Sequence, residues 1–252
     1  MALYAQMLTK NACYIAGRKI RPAGLMLHST GADNPRLSRY VGPDDGRLGH
    51  NPNGNHWNVF HPGGRDAPPH AFRNDGKGLC AACGGRQACV HAFIGNDAAG
   101  RVTAYQTLPW DVRGWHAGGG ANDTHIGVEI CEDGLTDPAY FGRVYQAAAE
   151  LAAKLCAQYG FQPEPPALIC HSEGRALGIA SNHADVMHWF PRHGRTMDGF
   201  RADVRKLISG APSHPPRPAL LRVQIGAYAK RENAEAALAK AKAAGFADAF
   251  IV

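Results

Sequence analysis

The sequence predicts an α/β fold, and three observations carry that reading. Short apolar runs ending on turn residues stand at 25–27, 89–95, 102–108, 125–131 and 167–170, the fourth of them rich in β-branched residues. Two stretches, 138–160 and 197–208, space their apolar residues at helical intervals. A proline-rich stretch at 210–218 then sets off a smaller strand–helix–strand pattern at 220–228, 231–244 and 247–252. The expected division is a main domain over 1–209, a stiff linker over 210–218 and a β-α-β module over 219–252.

Taken in order, residues 1–20 read as a lead-in segment able to pair at a sheet edge. The strand at 25–27 ends on His28, and STGADNP at 29–35 reads as a turn-rich loop. From 36 to 85, Gly, Pro, Asn and Asp dominate, which predicts long loops. The runs at 89–95 and 102–108 flank the turn NDAAG as a hairpin, and WHAGGGAND at 115–123 is expected to be loop. The helix over 138–160 places Gly160 where a left-handed C-cap belongs, and the second helix carries Asp198 in its first turn.

Composition narrows the function classes. Of 252 residues, 45% are hydrophobic and 19% charged, ordinary for a chain that buries a full core. The net charge of +6 favours a polyanionic partner, either nucleic acid or an anionic wall polymer. The positive charges are scattered, with no Lys/Arg run or RNA-binding signature, which argues against nucleic acid. No apolar run is long enough to span a membrane, and the first 20 residues lack the continuous apolar core of a secretory signal. Seven cysteines cannot all pair within one chain, and in a reducing compartment most stay thiols.

The chemistry concentrates in 168–191, LICHSEGRALGIASNHADVMHWFP, which ends an apolar strand-like run on His171 and then, across a Gly/Ser/Asn-rich loop, brings His183, Asp185 and His188 close together. His28 at a strand end and Glu129 inside HIGVEIC add the same two side-chain types from distant segments. Imidazole and carboxylate are what hold a transition metal or move a proton, so His28, His171 and Asp185 are candidate zinc ligands. Spacing alone leaves that reading level with hydrogen-bonded structural histidines, since the chain has 13 of them. Glu129 lies between Val128 and Ile130, where a carboxylate is costly without a partner. Cys80 and Cys83, with Cys89 and either His70 or His91, suggest a structural metal, but free thiols or one disulfide stand ahead of it because no fourth ligand has standard spacing. Cys131, Cys156 and Cys170 read as core.

GLMLHSTG, WHAGGGANDTHIGVEI and CHSEG…HADVMHWFP resemble the type 2 N-acetylmuramoyl-L-alanine amidases, over about 12–208. The resemblance implies a central mixed β-sheet flanked by helices, the fold shared with peptidoglycan recognition proteins. It implies zinc on His28, His171 and a third ligand, Asp185 or else His183, with Glu129 as general base. Where relatives often have an oxyanion-steadying lysine, this chain has His183. His116, Asn122 and Trp115 resemble a substrate-cleft segment, although a core role is the default for Trp115 and Trp110. HADVMHWFPRHG and VTAYQTLPW resemble endolysins of phages or prophages of Gram-positive bacteria. That implies an enzyme made in the bacterial cytoplasm and delivered to the wall by a holin-type partner. The rival is a recognition module without catalysis. LLRVQIGAYAKRENAEAALAKAKAAGFADAFIV resembles half of a SPOR domain, a peptidoglycan-binding module; a half module points either to a homodimer in which two chains supply one half each or, more plainly, to a degenerate or truncated tail.

Overall fold

A computed structural model describes residues 1–9, 11–41, 89–210, 226, 228–246 and 249. The chain divides into two compact units, Met1–Ala211 and Pro212–Val252. The first is built on a six-stranded mixed sheet. Its strands are β1 (Leu3–Ala5), β2 (Gly24–Asp33), β3 (Ala92–Asn96), β4 (Val102–Gln106), β5 (His125–Glu132) and β6 (Leu168–Cys170). In space the order is β1-β4-β3-β5-β2-β6. Only the β3–β4 hairpin is antiparallel; β3, β5, β2 and β6 run side by side in parallel, and β1 joins β4 in parallel at the far edge. The lead-in segment thus supplies the edge strand expected of it.

Parallel strands covered on both faces read as continuous apolar runs, and β5 is buried at all eight positions. One face is covered by α2 (Pro138–Tyr159) and α4 (Met197–Gly210), whose Tyr145, Leu151, Phe200 and Val204 join Leu27, Val128 and Leu168 in one core. α2 starts where Asp137 accepts from the Ala139 N–H at 2.8 Å with Pro138 in the first turn, and it stops at Gly160 with φ 74°. A short helix, α1 (Ala12–Ala16), follows β1.

Two expectations need correction. β2 does not end at His28: 29–33 continues as strand, shifting register against β5 between Ser29 and Asp33. Its polar residues are fastened by β5, because Thr30 Oγ1 accepts from the Glu132 N–H and Glu132 Oε1 accepts from the Gly31 N–H, both at 3.1 Å. Secondly, the segment after β6 is not simple loop. It opens with α3 (His171–Ala176), where Glu173 Oε2 accepts from the Cys170 N–H at 3.0 Å.

Of the stretch 36–85, the described start packs inward: Leu37 is buried, and Tyr40 stacks on Phe93 at 5.5 Å. The remaining expected loops, with Cys80, Cys83 and His70, lie outside the described residues, as does the linker beyond Gly210, the last residue of α4. In the second unit the described element is α5 (Arg231–Ala243). The strands expected at 220–228 and 247–252, on which the idea of a dimer rested, fall almost wholly outside the described residues.

Candidate active site

Leu27 pairs with Cys170 and His28 with Glu129, so the adjacent parallel strands β6, β2 and β5 deliver His171, His28 and Glu129 side by side. The carboxyl ends of parallel strands are where open α/β sheets make their ligand crevices. Asp185 reaches the same point because its backbone carbonyl accepts from the Ser172 N–H of α3 at 3.1 Å. Among the described residues, His28, His171 and Asp185 form the group whose ligand atoms converge, all within 4.8 Å of one another.

The separations are those a metal needs. His28 Nδ1 lies 3.0 Å from His171 Nδ1 and 3.1 Å from Asp185 Oδ2, and His171 Nδ1 lies 3.6 Å from Asp185 Oδ2. Ligands about 2.0–2.1 Å from a tetrahedral ion stand roughly 3.3 Å apart.

The hydrogen bonds behind the cluster fix which ring nitrogens carry protons. His116 Nε2 is 3.1 Å from the His125 carbonyl, which can only accept, so that nitrogen bears the hydrogen and His116 Nδ1 is left as an acceptor. His28 Nε2, 2.9 Å from His116 Nδ1, must then donate, which leaves the His28 Nδ1 lone pair facing the cluster. His171 follows the same logic through Ser181. The serine donates to the Ala117 carbonyl at 3.1 Å and accepts from His171 Nε2 at 3.1 Å, freeing His171 Nδ1. Two lone pairs and a carboxylate facing one another require a cation between them, a proton at the least and a metal ion at best. Burial opposes ionisation of Asp185, yet the bond to His28 and the nearby His171 hold its carboxyl below the usual value. His171 is held down to about 4, mainly by burial and then by the neighbouring His28. The residues present fit a divalent metal.

Two glycines make this arrangement sterically feasible. A Cβ on Gly127 would stand 2.5 Å from the His116 ring, so the glycine of HIGVE makes room for the residue that orients His28. Gly118 has φ 66°, and a Cβ there would lie 2.7 Å from Ser181 Oγ.

Glu129 is buried beside His28, and its Oε2 finds no hydrogen-bond partner among the described residues. Burial first, then the charges of Asp185 and Glu132, push its carboxyl well above the ordinary range. A carboxylate so placed is a proton acceptor waiting for a partner.

The other candidates are distributed differently. His183 is exposed at the rim, its ring 4.6 Å from that of His171 and its Nδ1 3.1 Å from Ser181 Oγ. His188 lies apart from the cluster and bonds Glu132 at 2.9 Å. Asn122, expected in the cleft, is 1% exposed and has no surface to offer a ligand. Its Oδ1 accepts from the backbone N–H groups of His116 and Ala117, both at 2.8 Å, and holds the turn that presents His116. His116 itself has both ring nitrogens engaged, so it orients His28 instead of lining a substrate wall. The core reading suits Trp110, which packs against the main core, but not Trp115, which is 39% exposed under the Arg113 guanidinium at 4.9 Å. His91 spends both nitrogens on Val112 O (2.8 Å) and the Gly127 N–H (3.0 Å), so it is no metal ligand. Cys131, Cys156 and Cys170 are buried free thiols, as expected of core residues. Ser181 and the orienting role of His116 were not foreseen, and only the glycines around them hinted at tight packing.

Residues 18–192 match the family described as N-acetylmuramoyl-L-alanine amidase. This chain belongs to that family. Residues 198–252 match the SPOR domain. That match begins inside α4, whose Phe200 and Val204 are buried in the first unit's core, so its opening residues are structurally part of the amidase unit. No curated protein matches the chain significantly. Among solved structures, the Staphylococcus aureus hydrolase AmiA, crystallised with its ligand, shares the fold at 21% identity and a TM-score of 0.51, over 82% of this chain and 83% of that one. A mutant endolysin from Bacillus subtilis aligns at 18% identity and a TM-score of 0.48, over 81% of this chain and 99% of that one.

Proposed function

We propose that the chain is a zinc-dependent peptidoglycan hydrolase of the endolysin type, cutting the amide between N-acetylmuramic acid and the L-alanine of the stem peptide. The observation that carries this reading is the meeting of three electron-pair donors, His28, His171 and Asp185, with the unpartnered buried carboxylate of Glu129 on the next strand. Zinc held by those three supplies Lewis acidity, lowering the pKa of water and polarising a carbonyl. The remaining work falls to the chain's own residues. Glu129 accepts the proton of the attacking water and delivers it to the departing amine nitrogen. His183, at the rim beside His171, faces the oxygen that gains charge as the lactyl carbonyl becomes tetrahedral. His116 and Ser181 stay behind the site and keep two Nδ1 lone pairs turned inward. Trp115 offers an exposed indole face to a sugar or peptide. No side-chain nucleophile takes part. The SPOR match supports attachment of the chain to the glycan strands of the wall.

The test is digestion of purified peptidoglycan by wild type, Glu129→Gln and EDTA-treated protein. The expected product is free L-alanine amino groups without new reducing ends, lost in both controls. New reducing ends would mean a glycosidase, and wall binding by wild type without any product would mean a recognition module.

A further inference from the structure

Away from the metal cluster, one pair of thiols meets from segments far apart in the chain. Cys13 lies in α1 and Cys89 precedes β3, and both pack in a small apolar cluster with Leu108 and Val112. Cys13 packs against the same cluster that holds Cys89, close enough for the two thiols to influence each other's ionisation, and Cys89 Sγ also lies 3.6 Å from the Val90 carbonyl. Cys89 is buried and Cys13 is half-buried, so solvent reaches the pair from the Cys13 side. We propose that Cys13 and Cys89 form a thiol–disulfide exchange site that closes to an intrachain disulfide on meeting a small-molecule disulfide.

The environment assigns the order of events. Cys13 is the nucleophile because it is the thiol that solvent reaches; the neighbouring Cys89, and then Arg113, also hold it below the ordinary value against the opposing effect of burial. Cys89, buried behind it, is pushed well above the ordinary value by the neighbouring Cys13 and by burial, which suits a resolving thiol. The Cys13 thiolate attacks one sulfur of the reagent, forming a mixed disulfide and expelling one thiolate. Cys89 then gives up its proton, attacks the Cys13 sulfur and expels the second thiolate. Two protein thiols are oxidised, the reagent is reduced to two thiols, and the two protons released end on them. The bond would join α1 to the segment that leads into the site. Cys89 exchanges backbone hydrogen bonds with Trp115, at 3.0 and 2.8 Å, and Trp115 is followed directly by His116.

The experiment treats the full chain with oxidised glutathione, quenches with iodoacetamide and maps unreduced peptides by mass spectrometry. One Cys13–Cys89 cross-link is expected, with loss of two hydrogens. The thermal midpoint should rise on the order of 10 °C, reversed by dithiothreitol, because the bond closes a long loop. Cys13→Ser, folded by circular dichroism and active on peptidoglycan, should show no such shift. A glutathione adduct that persists on Cys13, a bond from Cys89 to Cys80 or Cys83, or protection of both thiols by stoichiometric zinc without a cross-link would overturn the proposal.

Discussion

His116 is the position where the geometry makes its sharpest quantitative demand. Its Nδ1 is the acceptor for His28 Nε2–H at 2.9 Å, and its own Nε2–H is committed to the His125 carbonyl at 3.1 Å. Burial, then the neighbouring His28 and His91, hold its pKa well below the ordinary histidine value, so it works as a neutral relay. His116→Leu keeps a side chain of similar bulk over Gly127 but leaves the buried His28 N–H without a partner. That orphaned donor costs about 1–3 kcal/mol of stability. Releasing the His28 tautomer should also weaken metal binding about 10–100-fold, as loss of an outer hydrogen bond to a ligand histidine generally does. The assay is competition for zinc against a chromophoric chelator at neutral pH, with unfolding followed in parallel. At saturating zinc the turnover of His116→Leu should return to within a few-fold of wild type, because His116 does not touch substrate. His116→Gln, whose amide oxygen can accept the same bond, should recover part of the affinity. A folded His116→Leu protein with unchanged zinc affinity would refute the relay.

Three further outcomes are expected. Glu129→Gln should lower kcat by about 10²–10⁴ without reducing thermal stability, since the wild type already leaves Oε2 buried and unpartnered; turnover near wild type would remove Glu129 as base. Arg201 is 4% exposed and ties α4 to the Leu168 carbonyl (3.1 Å) and to both Glu173 oxygens (3.1 and 3.0 Å), with a further bond to Asp198 of its own helix (2.7 Å), so Arg201→Met should cost about 3 kcal/mol in chemical denaturation. Because Glu173 caps the helix that His171 opens, zinc affinity should fall with it. His91 is buried and its pKa is lowered to about 4, so the unfolded chain binds the extra proton first; its contribution is full above the unfolded value near 6.5 and is lost as pH falls towards 4, about 3 kcal/mol in all. Urea melts of His91→Gln should show a flatter acid dependence than wild type, and identical slopes would disprove the assignment.

How much of this was legible in the sequence follows the range of the interactions. α2 could be read end to end, because an Asp137 cap, Pro138 and a left-handed Gly160 are local signals. His28 and His171 could be singled out because each follows directly on a short apolar run, and Glu129 because it interrupts one. The extension of β2 through STGAD could not be read, because what makes it a strand is the pair of bonds to Glu132 on β5. The role of Asn122 was misjudged for a related reason. A polar residue in a glycine-rich loop looks exposed, yet it is held inside by two backbone N–H groups of the same loop. The meeting of Cys13 and Cys89 depends on α1 folding back onto the entry to β3, for which no spacing rule exists.

The division of labour in the site follows from the same distinction. The sheet sets where His28, His171 and Glu129 stand, and it does so with apolar residues that many substitutions would preserve. The sheet alone cannot decide which imidazole nitrogen faces the cluster. That choice is made by two carbonyls, His125 O and Ala117 O, acting through His116 and Ser181, and by glycines that let those side chains approach. Position and protonation are thus specified by different parts of the chain, the first by strand pairing and the second by the 115–123 and 178–183 segments. The invariance the proposed metal site demands therefore falls more heavily on WHAGGGAN and the glycine of HIGVE than on the strands themselves. A chain could keep its core and its ligands, change one of these supports, and lose the ability to hold the ion in the right tautomeric frame.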